Sequence, residues 1–150
     1  MQRDVKHQFF FSHSPEVVWE YLTDPELLAL WLMPSNFKLE LSHKFQFRTK
    51  PKINLGFDGT VYCEVLEIVP FKKLVYSWQG GMSRDIPKLD SMVIWTLSLA
   101  DGGTVLQLEH NGFKGFKNYL PYLIMNKGWL KIGKRLITKL NQTAHGSTKA

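Results

Sequence analysis

The 150-residue chain is poor in cysteine and has no long apolar run. Cys63 is the only thiol, and a lone thiol can form neither an intramolecular disulfide nor a thiolate zinc site. No stretch reaches the roughly 18 apolar residues that a membrane-spanning helix needs, and the first residues lack the apolar core of a signal peptide. We therefore expect a disulfide-free, cytoplasmic protein with no integral membrane segment.

Signatures of catalysis are also missing. The chain has no G-x-S-x-G element, no glycine-rich phosphate loop and no H-E-x-x-H element. Its histidines, at positions 7, 13, 43, 110 and 145, show no spacing typical of metal ligands. The sequence thus predicts no metal, no cofactor and no assignable catalytic residue.

Hydrophobic and aromatic residues, by contrast, are plentiful. They make up 44% and 13% of the chain, which is enough for a packed core. The length favours a single domain, which we place at residues 1–142, followed by a flexible tail at 143–150 where the residues are small and polar. Nineteen Lys and Arg against thirteen Asp and Glu give a net charge of +6, which can reflect an anionic partner or solubility alone.

Two helix-start signals follow a first strand that we place at residues 5–12. Ser14-Pro15-Glu16 and Asp24-Pro25-Glu26 each combine a capping side chain, a proline suited to the first turn and a carboxylate at the positive end of the helix dipole. They predict two short helices, the second of which is stopped by Pro34.

Alternation of apolar and polar residues then predicts a series of strands. They lie around residues 37–41, 45–47, 58–69, 74–78, 93–99 and 106–110. The alternation slips inside the strand at 58–69, which predicts a β-bulge. The stretch from Gly80 to Leu89 indicates a long loop, whereas Asp101-Gly102-Gly103 indicates a tight hairpin.

Residues 127–140 return to helical periodicity. One half of this helix is apolar and contains Trp129, Leu130, Ile132, Leu136, Ile137 and Leu140. The other half contains Lys127, Lys131, Lys134, Arg135 and Lys139, which we interpret as a solvated face. No aromatic residue alternates with these cations, so nucleic-acid binding is not expected. Short turns between strands favour an antiparallel sheet that curls around this helix as its main cover.

These elements together make the chain similar to a known family. It resembles the family of homologues of the activator of heat-shock protein 90 ATPase, within the helix-grip superfamily that includes the birch pollen allergen and aromatic polyketide cyclases. The matching motifs are Ser14–Trp19, Thr23–Leu28 with Trp31, Gly59–Val61, Glu67–Pro70, Leu74–Trp78, Gly102–Thr104, His110–Phe113 and Gly128-Trp129.

The resemblance implies an α+β helix-grip fold. About seven antiparallel strands would wrap around the C-terminal helix, with two short helices after the first strand and an internal cavity between sheet and helix. One departure is visible, because family members commonly carry paired glycines where this chain has Ser42-His43.

We interpret the chain as a non-enzymatic module that binds a small apolar, aromatic or lipid-like molecule. The predicted cavity wall consists of Trp31, Trp78, Trp95, His110, Phe113 and Trp129. An ordinary packed core would use the same aromatic residues. Gly133, inside the apolar half of the helix, leaves space that either a neighbour or a ligand fills. His110 is either a polar group at the cavity wall or a core histidine bonded to a backbone carbonyl.

Two other functions stay open. The resemblance also implies a protein-interaction module that regulates a chaperone. A cyclase- or hydrolase-like enzyme that uses His110 in the same cavity is the third alternative. The sequence leaves open whether the protein is a monomer or a homodimer.

Overall fold

The computed structural model of the chain describes residues 2–48, 60–80, 89–114 and 119–147. This part of the chain contains six strands and three helices. The first elements are β1 (Gln2–Phe11), α1 (Pro15–Thr23), α2 (Pro25–Trp31) and β2 (Lys44–Arg48). They are followed by β3 (Thr60–Val69), β4 (Lys73–Gly80), β5 (Leu89–Ala100), β6 (Gly103–Lys114) and α3 (Tyr119–Ser147).

The strands form one curved antiparallel sheet in the order β1-β6-β5-β4-β3-β2. Helix α3 packs against β1, β6 and α2, so the buried side chains of the sheet face this helix. The predicted α+β architecture with two short helices after the first strand is therefore confirmed. The described residues contain six strands, one fewer than the predicted number of about seven.

The missing strand is the one predicted at residues 37–41, and that prediction was wrong. The backbone N–H groups of Glu40 and His43 donate to carbonyls of this same short segment, which folds into turns instead of extending. Leu39 and Leu41 are consequently exposed. Alternation of apolar residues does not produce a strand unless the backbone can form hydrogen bonds with an adjacent strand.

Ser42 adopts a left-handed backbone conformation, with φ of 67°. The resemblance leads us to expect paired glycines at Ser42-His43, and glycine is the residue that adopts this conformation without strain. Hydrogen bonds at 2.8 Å from Ser42 N–H to the Val65 carbonyl and at 3.0 Å from Val65 N–H to the His43 carbonyl fix the geometry. A side chain with a Cβ is strained there.

We expect Ser42→Gly to raise the free energy of unfolding by about 0.5–1 kcal/mol, because glycine removes this strain. Ser98→Gly is the matched control, since Ser98 is an exposed strand residue without a positive φ. Glycine in a strand interior is expected to cost about 0.5–1 kcal/mol there. Chemical denaturation measures both changes, and a loss of stability at position 42 would contradict the strain.

Both predicted helix starts are confirmed. Ser14 caps α1 by accepting from the Val17 backbone N–H at 3.4 Å, and Asp24 caps α2 by accepting from the Glu26 N–H at 2.8 Å. Pro15 and Pro25 occupy the first turns. These caps are local interactions, which explains why the sequence alone locates them.

Two irregularities shape the sheet. The predicted bulge in β3 is confirmed, because the pairing with β4 shifts between Val65 and Glu67. The predicted hairpin is also present, with Gly102 at φ of 79° between β5 and β6. The long loop was predicted from Gly80 to Leu89; Gly80 ends β4 and Leu89 begins β5, and the residues between them lie outside the described residues.

Helix α3 buries most of the apolar half that the sequence predicts, but the prediction was wrong for Leu130, which is 42% exposed because it lies at the border of that half. Trp129, Leu136 and Leu140 are fully buried, whereas Lys127 and Lys134 are exposed. The helix backbone continues to Ser147, and the predicted flexible tail at 143–150 stays a prediction. No helix in the described ranges is long and apolar enough to cross a membrane.

Gly133 of α3 faces the ring of Phe9 in β1. A Cβ added to this glycine would lie 2.1 Å from the nearest ring carbon of Phe9. Of the two alternatives for the space beside Gly133, a neighbouring side chain is therefore the one observed. The glycine allows α3 to approach β1 closely.

Candidate functional site

All six predicted wall residues are buried, with at most 3% of each exposed. They form one connected set of rings, which we call the ring cluster: Trp31, Trp78, Trp95, His110, Phe113 and Trp129. Ring centroids are 5.8 Å apart for Trp31 and Trp95, and 5.6 Å apart for Trp95 and Trp129. The sequence prediction therefore selects residues that the fold brings together, whereas their contact with a ligand stays a prediction.

A backbone irregularity places two of these rings side by side. Residues 110 and 113 are three apart, so a regular strand would send them to opposite faces. Gly112 adopts φ of 118°, and the pairing of β1 with β6 shifts between Arg3 and Val5. His110 and Phe113 are both buried as a result, with centroids 4.8 Å apart. A Cβ at Gly112 would lie 2.8 Å from the Asp90 carbonyl oxygen, so glycine suits this bulge.

His110 is the centre of a buried hydrogen-bond chain. Trp129 Nε1 donates to His110 Nδ1 at 2.8 Å, and His110 Nε2 lies 2.8 Å from Ser91 Oγ. The Ser91 hydroxyl donates to the Trp78 carbonyl at 2.6 Å. The indole N–H is a donor only, so Nδ1 must be unprotonated and the neutral ring must carry its proton on Nε2. His110 therefore donates to Ser91, and we call the four residues the polar chain.

This tautomer limits the chemistry available at His110. A histidine that activates a serine accepts the hydroxyl proton on an unprotonated nitrogen. Here Nε2 already carries the proton that points at Ser91, and the Ser91 hydroxyl is directed at the Trp78 carbonyl. The arrangement orients the rings and satisfies their polar atoms, but it does not form a nucleophile–base pair.

Burial lowers the pKa of His110 from 6.5 to about 3. The unfolded chain takes up a proton as the pH falls through about 6.5, while the folded protein keeps His110 neutral until about pH 3. Acid therefore favours the unfolded chain over this window. The stability that depends on the neutral ring is fully present above the unfolded pKa and is lost as the pH falls toward 3.

We expect acidification from pH 7.5 to pH 5 to cost the wild type about 2 kcal/mol more than it costs a His110→Gln variant. Urea unfolding at the two pH values measures the difference. His13→Gln is the control, because His13 bonds Asn141 at the surface and its loss leaves the polar chain intact. Equal acid losses in the wild type and His110→Gln would contradict the buried neutral state.

Ser91 is the partner of His110 that sequence analysis missed. A backbone carbonyl was one expected partner of a core His110, whereas the ring bonds a serine hydroxyl and an indole. A signal for Ser91 existed, because the hairpin at Asp101-Gly102 sets a register in which Val93 opposes His110. Ser91 lies two residues before Val93 on the same face of β5, which makes it a diagonal neighbour of His110. No comparable signal connects Trp129 to His110 across the β6–α3 connection.

Further hydrogen bonds fix the other indoles. Trp95 Nε1 donates to the Tyr76 hydroxyl at 2.8 Å, and Trp31 Nε1 donates to the Tyr21 carbonyl at 2.9 Å. Burial raises the pKa of the Tyr76 phenol, so this hydroxyl stays neutral. The indole N–H groups of Trp31, Trp95 and Trp129 each donate to a described residue, whereas that of Trp78 donates to none of them.

The polar chain lies near one end of the sheet. Trp78 is two residues before the end of β4, Ser91 is two residues after the start of β5, and His110 is four residues before the end of β6. Adjacent strands are antiparallel, so the last residues of β4 and β6 and the first residues of β5 lie at the same end of the sheet. Helix α3 starts beyond the same end of β6, and its Tyr122 ring lies 5.8 Å from the Phe113 ring.

Two pockets lined wholly by described residues lie away from the ring cluster. One, of about 380 Å³, is lined by residues of β2, β3 and β4 together with Asn36, and another, of about 330 Å³, is lined by Pro34, Ser35, Asn36, Gln46 and Arg48. Both include Asn36 and Gln46 at the β2 edge of the sheet. The predicted cavity between sheet and α3 stays a prediction.

Cys63 faces the interior. It belongs to the buried hydrophobic core, and burial raises the pKa of its thiol, so the protein holds it as a neutral, small apolar side chain. Over the part of the chain that the structure describes, no three His, Cys, Asp or Glu side chains converge in a way that could hold a metal ion.

A curved antiparallel sheet around a long C-terminal helix defines the helix-grip class of protein. Comparison with protein families agrees with this class and refines it. The family described as Activator of Hsp90 ATPase homolog 1-like protein matches residues 12–141, and the chain belongs to that family. No curated protein matches the chain.

Solved structures with the same fold come from several bacteria. Protein MLL2253 from Mesorhizobium loti is 32% identical, with a TM-score of 0.83 over 94% of this chain and 98% of that one. BH1534 from Bacillus halodurans is 23% identical, with a TM-score of 0.69 over 92% and 98%. DynU16, from the dynemicin biosynthetic locus, is 21% identical, with a TM-score of 0.73 over 92% of this chain and 47% of that one. The last two show similarity of fold alone.

Proposed function

We propose that this protein binds a small apolar or aromatic molecule between the sheet and α3. The ring cluster is the observation that carries the proposal, because it joins tryptophan, phenylalanine and histidine rings at one place. Small-molecule sites are lined mainly by apolar and aromatic side chains with a few polar groups that set orientation. The ligand would enter at the end of the sheet where β4 and β6 end and α3 begins.

Side chains at this end favour access for a ligand. Tyr122 and Met125 of α3 pack against the core but are only partly buried, unlike Trp129 one to two turns further along the helix. Methionine adapts its shape readily to a bound molecule. We therefore place the entrance beside Tyr122 and Met125, with Phe113 and Trp78 behind it.

The polar groups suggest which ligand would fit. His110, Ser91 and the Trp129 N–H satisfy one another in the polar chain, so none of them needs a ligand atom. The Trp78 N–H donates to no described residue and could donate to the ligand instead. The ligand class is thus an apolar or aromatic molecule with one hydrogen-bond acceptor, held mainly by apolar burial worth about 25 cal/mol per Å².

A screen with fatty acids and aromatic carbonyl compounds tests the proposal. We expect at least one compound to raise the melting temperature and to remain bound in native mass spectrometry. Phe113→Ala should weaken its binding about tenfold or more, because a ring that lines the site is removed. Phe71→Ala is the control, since Phe71 contacts Trp19 at the opposite end of β4. No binding across the panel, or equal losses in both variants, would contradict the proposal.

The family description favours regulation of a chaperone as a second candidate. It would require contact with an Hsp90-type ATPase, and a pull-down combined with an ATPase assay decides it. An unchanged ATPase rate at saturating protein would remove this candidate. The cytoplasmic location expected from the sequence is compatible with either function and stays a prediction.

A further inference from the structure

Helix α3 contains no carboxylate. Its 29 residues include Lys127, Lys131, Lys134, Arg135 and Lys139 but neither Asp nor Glu. The rest of the chain therefore has fourteen cations and thirteen carboxylates, which nearly cancel. Almost all of the net charge of +6 belongs to this one helix.

The cations of α3 lack ion-pair partners among the described residues. The three ion pairs found there join Lys6 to Glu109, Lys38 to Glu40 and Lys73 to Glu67. Within α3, Lys131 lies three or four positions from Lys127, Lys134 and Arg135. Like charges at these spacings repel and destabilise a helix, whereas a solvated face usually mixes Lys with Glu. An anionic partner would relieve this repulsion.

Two leucines lie among these exposed lysines. Leu123 is 38% exposed and Leu130 is 42% exposed. With Lys127 and Lys134 they occupy positions i, i+4, i+7 and i+11, which form one row about 16 Å long on a helix. We call these four residues the basic row, and exposed Lys131 lies beside it. Trp129 and Leu136 are buried on the other side of the helix.

We propose that the basic row docks this protein on an anionic phospholipid surface. Its lysines would contact headgroup phosphates and carboxylates, and its leucines would reach the acyl boundary. Exposed leucines have no use against a nucleic-acid backbone, which is bound through Arg, Lys and stacking aromatic rings. The only arginine of α3, Arg135, donates to the Trp31 carbonyl at 3.4 Å and is held toward α2. The proposal is independent of the ligand site, because it uses the opposite face of α3.

Vesicle flotation tests the proposal with two lipid compositions. We expect the protein to bind vesicles of phosphatidylcholine and phosphatidylserine, to bind pure phosphatidylcholine vesicles much less, and to dissociate as salt rises. The triple variant Lys127→Glu, Lys131→Glu, Lys134→Glu should bind the anionic vesicles about a hundredfold or more weakly. All three side chains are exposed, and glutamate favours a helix about as well as lysine, so the fold is expected to persist.

Two matched controls separate this surface from general charge and general apolarity. The triple Lys38→Glu, Lys44→Glu, Lys72→Glu makes the same change in net charge at exposed sites outside α3 and should retain most of the binding. Leu130→Ser should weaken binding about fivefold, whereas Leu99→Ser, at an 81% exposed site, should not change it. Absence of vesicle binding at low salt, equal losses in both triples, or unchanged binding by Leu130→Ser would each overturn the proposal. A duplex DNA fragment bound as tightly as the vesicles would overturn it as well.

Discussion

Replacing Gly133 by alanine is expected to lower the free energy of unfolding by about 1–3 kcal/mol. Alanine normally favours a helix over glycine by about 1 kcal/mol, so the expected sign is the reverse of the usual one. The reason is the Phe9 ring, whose nearest carbon would lie 2.1 Å from the new Cβ. Phe9 belongs to β1 and is almost fully buried beneath α3, so its ring has little room to move away. Chemical denaturation measures the change.

Gly128 in the same helix supplies the matched control. A Cβ added there meets no atom within 4 Å, so Gly128→Ala should raise stability by about 0.5–1 kcal/mol. A double-mutant cycle gives the mechanism, because Gly133→Ala should cost much less in a Phe9→Ala background. Equal stabilisation by Gly133→Ala and Gly128→Ala would contradict the close contact between Gly133 and the Phe9 ring.

Trp129→Ala is expected to destabilise the protein by about 3–5 kcal/mol, the usual cost of deleting a fully buried large ring. Trp129→Phe retains an aromatic ring but removes the N–H that donates to His110 Nδ1. A buried acceptor without a partner costs about 1–3 kcal/mol, so this variant should lose that much through the hydrogen bond, in addition to the smaller ring volume. Equilibrium unfolding of both variants measures the losses.

Trp19→Phe is the matched control for the lost hydrogen bond. Trp19 is also buried, but its indole N–H is not among the hydrogen bonds of the described residues. We expect Trp19→Phe to cost clearly less than Trp129→Phe. A second readout is the imidazole ring in NMR spectra, where loss of the Trp129 donor should change the His110 tautomer signals. Equal stability losses together with unchanged His110 signals would contradict the polar chain.

Local interactions explain what the sequence predicted correctly. The caps at Ser14 and Asp24 bond to N–H groups within three residues, and the helical period predicts most of the buried face of α3, with Leu130 as the exception. The segment 37–41 has strand-like alternation, but its backbone bonds within itself and so the pattern was misleading. Backbone pairing, which the side-chain pattern does not encode, decides whether such a segment extends.

The ring cluster was predictable as a set, but its polar geometry was not. Parity and the hairpin register place Ser91, Trp95 and His110 on one face of the sheet. The contact of His110 with Trp129 depends on where α3 crosses that face, which no local pattern specifies. The bulge at Gly112, which turns Phe113 inward beside His110, likewise depends on pairing with β1.

The central claim is that a small molecule binds between the sheet and α3, and the five tryptophan side chains report on it directly. A titration of ¹⁵N-labelled protein with the tightest compound from the screen follows their indole N–H signals. We expect the signals of Trp78 and Trp129 to move furthest and in parallel with binding, while that of Trp19, which packs on Phe71 at the other end of β4, stays in place. Movement of the Trp19 signal alone, or of none of the five at saturation, would contradict a ligand site at the ring cluster.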